Sequence, residues 1–543
     1  MKKTILLLII TLFSVNSLVQ AKNYYIRMAT NTSDWSKITA DTAHIIVDYM
    51  DGDSFNAIIN AYLATDTVWV AKGTYTIDNT IALKASQKLF GGFDGTESSL
   101  SSRELSDLDG NGLVEPWEFT NATEITSSVP ALNSITLGAN SIIDGITLRN
   151  IQNTTSTSTT TTIINIYGGV SGCILRNMTV KDCYVSSATS SVYTINASNG
   201  TLQNCLIENN STEVLTGGSG TSFGGGLYLS SASAKAIGCV IRGNKSVNVT
   251  ITKAKGGGVF MQSGSKLINC VVYNNQAQGQ GGGVFFNDAT SQALNCTIAR
   301  NKAGLTGGGV YMNAGAIFNN SIVWSNIENS STTTDANDVY YGGNAVGSFT
   351  TDYLAYGAIA KSDPVVYPAL ANVKLLTSGE FADNTIDGTG TLAPKFLNPT
   401  AFVGAPSDPT AVMQANFKLV TGSPCLNFGS KTLLDNLGIS TDLMNTNRFG
   451  NTTPDLGAYE LSINTALNNV SDKSLYSVFK NGKNLIVKGL NGKTNISLYE
   501  LNGTLLQSIN LNQSLATIPV SNKGVYIVKI RSLTNTETVK VIF

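Results

Sequence analysis

The chain contains 543 residues, of which only 13% are charged, about half the share that is usual in a soluble globular protein. Lysine and arginine total 35 against 36 for aspartate and glutamate, so the net charge is −1 and no basic field exists to attract nucleic acid or an anionic membrane. Hydrophobic residues make up 42% of the chain, which excludes a highly charged disordered polymer and supplies enough material for a large core.

The first residues have the pattern of a secretory signal peptide. Lys2 and Lys3 precede an apolar run from Ile5 to Phe13, and a polar stretch then leads to small residues at Val19 and Ala21. We therefore expect a signal peptide over residues 1–21, a mature chain that begins at residue 22, and a secreted, extracellular protein. The apolar run is too short to cross a bilayer, and no later segment is long enough, so the sequence predicts no transmembrane helix in the mature chain.

Residues 107–118 match the EF-hand calcium loop position for position. Calcium takes about six to eight hard oxygen ligands, and this spacing directs such donors at one point. We expect a structural calcium ion that orders an excursion from the N-terminal coils without a part in catalysis; the alternative is a metal-free Asp/Gly-rich turn. A short incoming helix over Ser101 to Leu105 is predicted, and Pro116 is compatible with the first turn of an outgoing helix. The predicted donors are Asp107, Asp109, Asn111, the backbone carbonyl of Leu113, Glu115 and Glu118.

The middle of the chain contains internal repeats. A glycine triplet followed by apolar residues recurs between 25 and 32 residues apart, ending at Gly226, Gly258, Gly283 and Gly309. No stretch of this region has helical periodicity, and the repeat is shorter than the ~30 residues of a βαβ unit. It fits one coil of three short strands, and such coils stack as parallel strands about 4.8 Å apart.

A second phrase within each repeat predicts ladders along the stack. Cysteine occupies one position (Cys205, Cys239, Cys270, Cys296) and asparagine another (Asn210, Asn244, Asn275, Asn301), while a fifth copy has Asn320 at the cysteine position. We expect the cysteines to be buried thiols that fill the core rather than a disulfide framework. The asparagines are expected to form hydrogen bonds along the stack at a turn that requires left-handed backbone.

These repeats, together with four further phrases, resemble the right-handed parallel β-helix proteins that are secreted by Bacteroidetes-type bacteria. The phrases are Val68–Tyr75 (VWVAKGTY), Gly91–Glu97 (GGFDGTE) and, as terminal coils, Ser423–Asn427 (SPCLN) and Asp455–Glu460 (DLGAYE). The resemblance implies an all-β chain in which a right-handed parallel β-helix solenoid with an N-terminal cap occupies residues 22–461.

A different module follows the solenoid. We expect a polar linker over residues 462–472 and a small C-terminal β-sandwich over residues 473–543, because short alternating strands are separated there by turn signals such as Asn502-Gly503. Its phrases at Tyr499–Gly503 and Gly524–Val528 resemble the type IX secretion C-terminal sorting domain. The resemblance implies the outer-membrane secretion machinery as a partner and attachment to the cell surface. The alternative is an accessory β-domain.

Residue chemistry separates two functions for such a solenoid. Hydrolysis of glycosides requires paired carboxylates, and the β-helix lyases require acidic calcium ligands with a basic residue. Between Glu213 and Glu328 the only acidic residue is Asp288, so no carboxylate pair forms there. The candidate enzymatic cluster that remains is Arg176, Lys181, Asp182 and Glu208.

A binding or adhesion role at the cell surface, toward glycans or a host or biofilm matrix, is therefore the predicted function. The recurrent aromatic residues Tyr228, Phe260, Phe285 and Tyr311 would stack on sugar rings if they face outward and would belong to the core if they face inward. We assign no catalytic and no organic cofactor-binding residue. The alternative function is a polysaccharide lyase or glycoside hydrolase of the β-helix type.

Overall fold

The protein is described by a computed structural model, in which the chain forms two compact units, Met1–Leu461 and Ser462–Phe543. The residues described are 21–36, 38, 40, 42–130, 134–154, 160–166, 170–328, 338–342, 350–356, 359–361, 371–375, 393–450, 453–461, 476–481, 483–490, 492–500, 503–520, 524–532 and 536–542. The predicted signal peptide and the predicted linker over residues 462–472 lie outside these ranges, apart from Ala21.

The first unit is a stack of coils whose strands pair in parallel with the coils before and after. Three long sheets result, which we call sheet I (21 strands), sheet II (12 strands) and sheet III (7 strands). A representative coil consists of Leu227–Leu229, Lys235–Ile237, Val240–Arg242 and Lys245–Asn248. The sequence predicted three strands in a coil, but the structure has four. Left-handed backbone at Gly238 (φ 62°) divides what would be one strand of sheet I into two.

Sheet I contains both of these strand series. The strands of sheet I are Asn23–Met28, His44–Tyr49, Thr67–Ala71, Gly73–Ile77, Lys88–Phe93, Thr123–Ser127, Ile142–Asp144, Ile146–Arg149, Cys173–Arg176, Thr179–Lys181, Gly200–Gln203, Leu206–Glu208, Lys235–Ile237, Val240–Arg242, Lys266–Ile268, Val271–Tyr273, Gln292–Leu294, Thr297–Ala299, Ile317–Trp324, Thr350–Tyr356 and Ala371–Leu375.

Sheets II and III form the other faces of the solenoid. Sheet II consists of Ile81–Leu83, Ile135–Leu137, Thr160–Ile166, Ser191–Ala197, Ser222–Phe223, Leu227–Leu229, Ala254–Lys255, Val259–Met261, Val284–Phe286, Val310–Met312, Val339–Tyr341 and Ile359–Lys361. Sheet III consists of Gln152–Asn153, Tyr184–Ser187, Ser211–Val214, Lys245–Asn248, Gln276–Ala277, Lys302–Ala303 and Ile327–Glu328. The helices of this unit are short: Phe55–Ala61, Thr410–Met413, Lys431–Leu437 and the 3-10 turns Leu100–Ser102 and Ile251–Lys253.

The predicted ladders are present, with two corrections. The four column cysteines are buried free thiols, as expected. Asn244, Asn275 and Asn301 form a continuous buried ladder, in which each side-chain N–H donates to the next carbonyl oxygen at 2.9–3.0 Å. The left-handed residue, however, is the one before each ladder asparagine, for example Asn274 (φ 52°). In the fifth copy Ser321, not Asn320, takes the cysteine position, because Thr297 is opposite Ile322.

Each position of the triplet requires glycine for a different structural reason. In the triplet that ends at Gly258, the first residue, Gly256, has left-handed backbone (φ 69°). A Cβ on the second, Gly257, would lie 2.3 Å from the carbonyl oxygen of Gly282 in the next coil, and a Cβ on the third would press on the Asn275 amide at 2.9 Å. The triplet therefore permits close stacking of backbones and leaves room for the asparagine ladder.

Residues 393–461, which we call the C-terminal arm, form no terminal coils, contrary to the expectation for Ser423–Asn427 and Asp455–Glu460. The arm contains one antiparallel strand pair, Phe396–Asn398 with Asn416–Leu419, and packs against the outer face of sheet I. Its apolar side chains, such as Phe417 and Leu456, share one cluster with Val271 and Trp324 of the sheet. A face that would otherwise be open to solvent is therefore covered.

The second unit is a small antiparallel β-sandwich with its own apolar core. One sheet contains Ser477–Asn481, Asn484–Lys488 and Leu515–Pro519, and the other contains Leu505–Leu511, Thr494–Glu500, Val525–Arg531 and Thr536–Ile542. Within the ranges that the structure describes, no helix combines the length and apolar composition needed to cross a membrane.

Candidate metal loop and neighbouring cleft

The loop over residues 107–118 is closed by strand-like pairing rather than by helices. Leu105 and Phe119 form an antiparallel bridge at its two ends. The predicted incoming helix is reduced to the 3-10 turn Leu100–Ser102, and the predicted outgoing helix after Pro116 is absent from this described segment. The loop therefore has an EF-hand ligand spacing without the flanking EF-hand helices.

Three of the predicted ligands converge. Carboxylate oxygens of Asp107, Asp109 and Glu118 lie within 4.8 Å of one another. Backbone amides hold two of these groups in place: Asp107 accepts from Gly110 at 2.8 Å, and Glu118 accepts from Leu108 at 2.8 Å. The loop backbone thus orients two of the three carboxylates toward a common point.

The remaining predicted ligands lie beside this cluster. Asn111 donates to Glu115 at 2.9 Å and accepts from the Leu113 amide at 2.7 Å. The Glu115 side chain is buried, and its second carboxylate oxygen has no hydrogen-bond partner. Burial and the neighbouring Glu118 carboxyl raise the pKa of Glu115 to about 8.

This donor set fits a hard cation. Four carboxylates (Asp107, Asp109, Glu115, Glu118) occur in one twelve-residue loop, together with amide and backbone oxygens of the type that calcium prefers. Their mutual repulsion is offset by one cation, Arg242, whose guanidinium lies 2.8 Å from Asp109. A calcium ion held by Asp107, Asp109 and Glu118 would offset most of the remaining negative charge.

Arg242 joins the loop to sheet I and to the arm. It extends from Val240–Arg242 and is only 2% exposed. Its guanidinium donates to Glu208 at 2.6 Å, to the Tyr273 hydroxyl at 3.0 Å and to the Met413 carbonyl at 3.1 Å, in addition to Asp109. Leu113 and Trp117 also join the loop to the arm, because their side chains pack in the apolar cluster that the arm forms with sheet I.

A cleft of about 210 Å³ lies between the loop and sheet I. Its sheet side carries polar and charged side chains on neighbouring strands, and its loop side carries Leu108, Trp117 and Phe119. Lys181 stands opposite Arg149 on one neighbouring strand and opposite Glu208 on the other. The sheet residues that line the cleft include Glu124, Thr147, Thr179, Lys181, Leu206, Glu208 and Arg242.

The candidate enzymatic cluster is only partly brought together. Lys181 and Glu208 share the cleft. Arg176 instead forms an ion pair with Asp144 at 2.6 Å, and Asp182 accepts from the Asn209 amide at 2.6 Å. These two residues have structural partners away from the cleft lining.

The aromatic column exists, but its two phenylalanines are not a free sugar-binding surface. Phe260 is opposite Tyr228 and Phe285, and its strand neighbours Val259 and Met261 point into the core, so the column faces outward. The rings of Phe260 and Phe285 stack with centroids 5.1 Å apart, yet each is only 1% exposed. Outward orientation therefore does not make these rings accessible.

Sequence reasoning missed Arg242, Tyr273 and Glu124. A signal for the first two was present, because each stands two residues before a ladder asparagine, as Glu208 does before Asn210. The repeat thus places Glu208, Arg242 and Tyr273 side by side on successive strands. Their partners in the loop and the arm lie outside the repeat, and no periodic signal indicates them.

A family of known proteins agrees with this architecture. The family described as "Right handed beta helix region" matches residues 133–293. The crystal structure of pectate lyase Pel9A is similar at 12% identity and a TM-score of 0.33, over 81% of this chain and 97% of that chain. The curated proteins contain no significant match. The parallel coils and the family match over residues 133–293 together show that the first unit has the fold of a right-handed parallel β-helix.

Proposed function

We propose that this β-helix is a secreted, cell-surface binding protein that recognises a saccharide in the cleft between residues 107–118 and sheet I. The cleft itself carries the proposal: a concave site of about 210 Å³ in which charged, hydroxyl and apolar side chains converge. Carboxylates accept hydrogen bonds from sugar hydroxyls, and the Lys181 ammonium donates them. Leu108, which is 58% exposed at the rim, offers an apolar surface to a sugar ring.

The ion pairs of the cleft favour binding over hydrolysis. Glu124 pairs with Arg149 at 2.8 Å and Glu208 pairs with Arg242 at 2.6 Å, so a guanidinium group already engages each carboxylate. A general acid must instead be within hydrogen-bond reach of the glycosidic oxygen. The strands of Glu124 and Glu208 are also three steps apart, about 14 Å along the stack, whereas glycosidase carboxyl groups lie about 5–9.5 Å apart.

Calcium has a structural role in this proposal, ordering the loop that forms one wall of the cleft. A calcium concentration of about 100 times Kd would add about 2.7 kcal/mol of stability to the folded state. We expect a higher melting temperature in calcium than in chelator, and no such difference in Asp107→Asn. An unchanged melting temperature of the natural protein would contradict the metal site.

Two sequence patterns support export of the protein and its adhesion at the cell surface. The signal-peptide pattern over residues 1–21 and the sorting-domain phrases near Tyr499 and Gly524 support delivery by outer-membrane secretion machinery to the cell surface. Polysaccharide of a host or biofilm matrix is the ligand that we propose for that location. Protease shaving of intact cells followed by detection of the released chain tests it, and a chain found only inside cells contradicts it.

One residue favours a second candidate function, a polysaccharide lyase. The Lys181 ammonium forms no ion pair within the described part of the chain, although Glu208 stands opposite it on the next strand. To act as the base toward a sugar C–H, this ammonium would first have to release its own proton.

One experiment separates the two functions. The mature chain is passed over immobilised neutral and acidic polysaccharides in calcium, and the eluates are analysed for unsaturated products and new reducing ends. We expect retention without cleavage, a loss of at least tenfold in affinity for Lys181→Ala, and no loss for Lys245→Ala, a half-buried lysine on sheet III. Cleavage that Lys181→Ala abolishes would establish the lyase instead.

A further inference from the structure

A second cavity, of about 280 Å³, lies between sheet I and the C-terminal arm. Two lysines, Lys235 and Lys266, line it from the sheet, and residues 437–441 line it from the arm. Ile237, Ile268, Leu437 and Ile439 supply apolar walls. This cavity shares none of its lining residues with the cleft of the proposed function.

The two lysines form a like-charged pair. Lys235 and Lys266 are directly opposite each other on adjacent parallel strands, so their side chains leave the same face about 4.8 Å apart. Both side chains are half-buried. Like charges directly opposite each other in a sheet destabilise it, and burial strengthens the repulsion.

The residues that the structure describes supply no counter-charge for this pair. The residues that continue the column on either side, Thr201 and Gln292, are neutral. Within the described ranges, no carboxylate forms an ion pair with Lys235 or Lys266, although the buried Arg103 and Arg242 each have one.

The acidic residues of the neighbouring arm are engaged elsewhere. Asp435, just before the cavity lining, binds Lys431 at 2.9 Å. Asp442, just after it, accepts from the amides of Met444 and Glu460 at 2.8 Å. The cavity therefore presents two positive charges, hydrogen-bonding neighbours and apolar walls, with no internal anion to satisfy the charges.

We propose that this cavity is an oxyanion site, in which Lys235 and Lys266 together bind a carboxylate or sulfate group carried by a saccharide. Each ammonium donates to one oxygen of the anion, and the bound charge removes the repulsion between the lysines. The isoleucine and leucine walls contact the C–H surface of the sugar. The saccharide carrier rests on the proposed function, whereas the oxyanion site does not.

The test compares two double variants of equal charge. Lys235→Gln/Lys266→Gln removes the adjacent pair. Lys245→Gln/Lys302→Gln removes two half-buried lysines that Gln276 separates in the same column of sheet III. The full mature chain is titrated with inorganic sulfate, and its retention is measured on dextran sulfate, polygalacturonate and uncharged dextran.

We expect inorganic sulfate to raise the melting temperature of the natural protein and of the sheet III variant but not that of Lys235→Gln/Lys266→Gln. Affinity for dextran sulfate or polygalacturonate should fall at least tenfold only in the latter variant. Equal losses in both variants would overturn the site in favour of general charge attraction, and an unaffected Lys235→Gln/Lys266→Gln would overturn it outright.

The sulfate titration and the glycan retention measurements also distinguish two kinds of failure. A sulfate response without retention on any charged glycan overturns the saccharide carrier and leaves the oxyanion site. Lys181→Ala should leave the sulfate response unchanged, because that residue lines the other cleft; a lost response would contradict the separation of the two sites.

Discussion

Replacing Arg242 by methionine should destabilise the protein far more than removal of an ordinary surface ion pair. Methionine preserves length and apolar packing but removes the charge. The Arg242 side chain is 3% exposed, and its partners Asp109 and Glu208 are 8% and 9% exposed. Without the guanidinium, two buried carboxylates lose their counter-charge, and breaking a buried pair in this way costs about 3–5 kcal/mol.

The structure offers a matched control in the same cleft. Arg149 pairs with Glu124 at 2.8 Å, a distance like that between Arg242 and Asp109, but these side chains are 37% and 23% exposed. Exposed pairs contribute about 0–1 kcal/mol, so Arg149→Met should change stability little. Urea denaturation of the full chain in chelator measures both variants. If both lose the same free energy of unfolding, burial does not determine the strength of these pairs and our reasoning is wrong.

Three further predictions concern the solenoid and the arm. Gly257→Ala should destabilise by several kcal/mol, because its Cβ would lie 2.3 Å from a carbonyl oxygen of the next coil, whereas Gly450→Ala, with its closest contact at 3.7 Å, should change little; thermal unfolding compares them. Asn275→Leu should cost about 2–4 kcal/mol in urea denaturation, because it leaves buried ladder groups on both sides without partners. Burial raises the pKa of Glu460 from 4.5 to about 8, so the folded state retains a proton that the unfolded chain has released. Stability should therefore fall as pH rises from about 5 to about 8. Glu460→Gln should reduce this fall and leave the part that the similarly raised pKa of Glu115 contributes, whereas exposed Glu104→Gln should not reduce it.

The repeat made much of the fold predictable from sequence. Parallel stacking places equivalent residues of successive coils opposite each other, so a column in the sequence becomes a column in the structure. The cysteine and asparagine ladders were predicted for this reason. The division of each coil into four strands was also encoded, since Asn204, Gly238 and Asn269 all have left-handed backbone directly before the cysteine column. The sequence signal for this division is an Asn or Gly directly before each column cysteine.

The candidate site was less predictable because its contacts are not periodic. Arg242 binds Asp109, 133 residues earlier, and Met413, 171 residues later. No repeat relates these positions, and hydrophobic patterning does not specify which face an arm will cover. The phrase at Asp455–Glu460 resembled a terminal coil, yet it folds outside the stack, where the Gly457 amide donates to the Asn320 carbonyl at 2.9 Å. Local sequence could indicate the calcium-type loop, but not the surface on which it rests.

The meeting of loop, sheet and arm at Arg242 gives the loop an influence beyond its own twelve residues. Asp109 uses one carboxylate oxygen to accept from the Asn111 amide at 3.1 Å and the other to bind Arg242 at 2.8 Å. The arm depends on the same guanidinium through Met413, and on the loop directly, since Asn416 donates to the Asn111 carbonyl at 2.9 Å. A cation that holds Asp109 in place therefore also holds Arg242 and the Asn111 carbonyl, which bind the arm. Metal binding in the loop should accordingly protect residues 410–417 from hydrogen exchange, and this coupling should be lost in Arg242→Met.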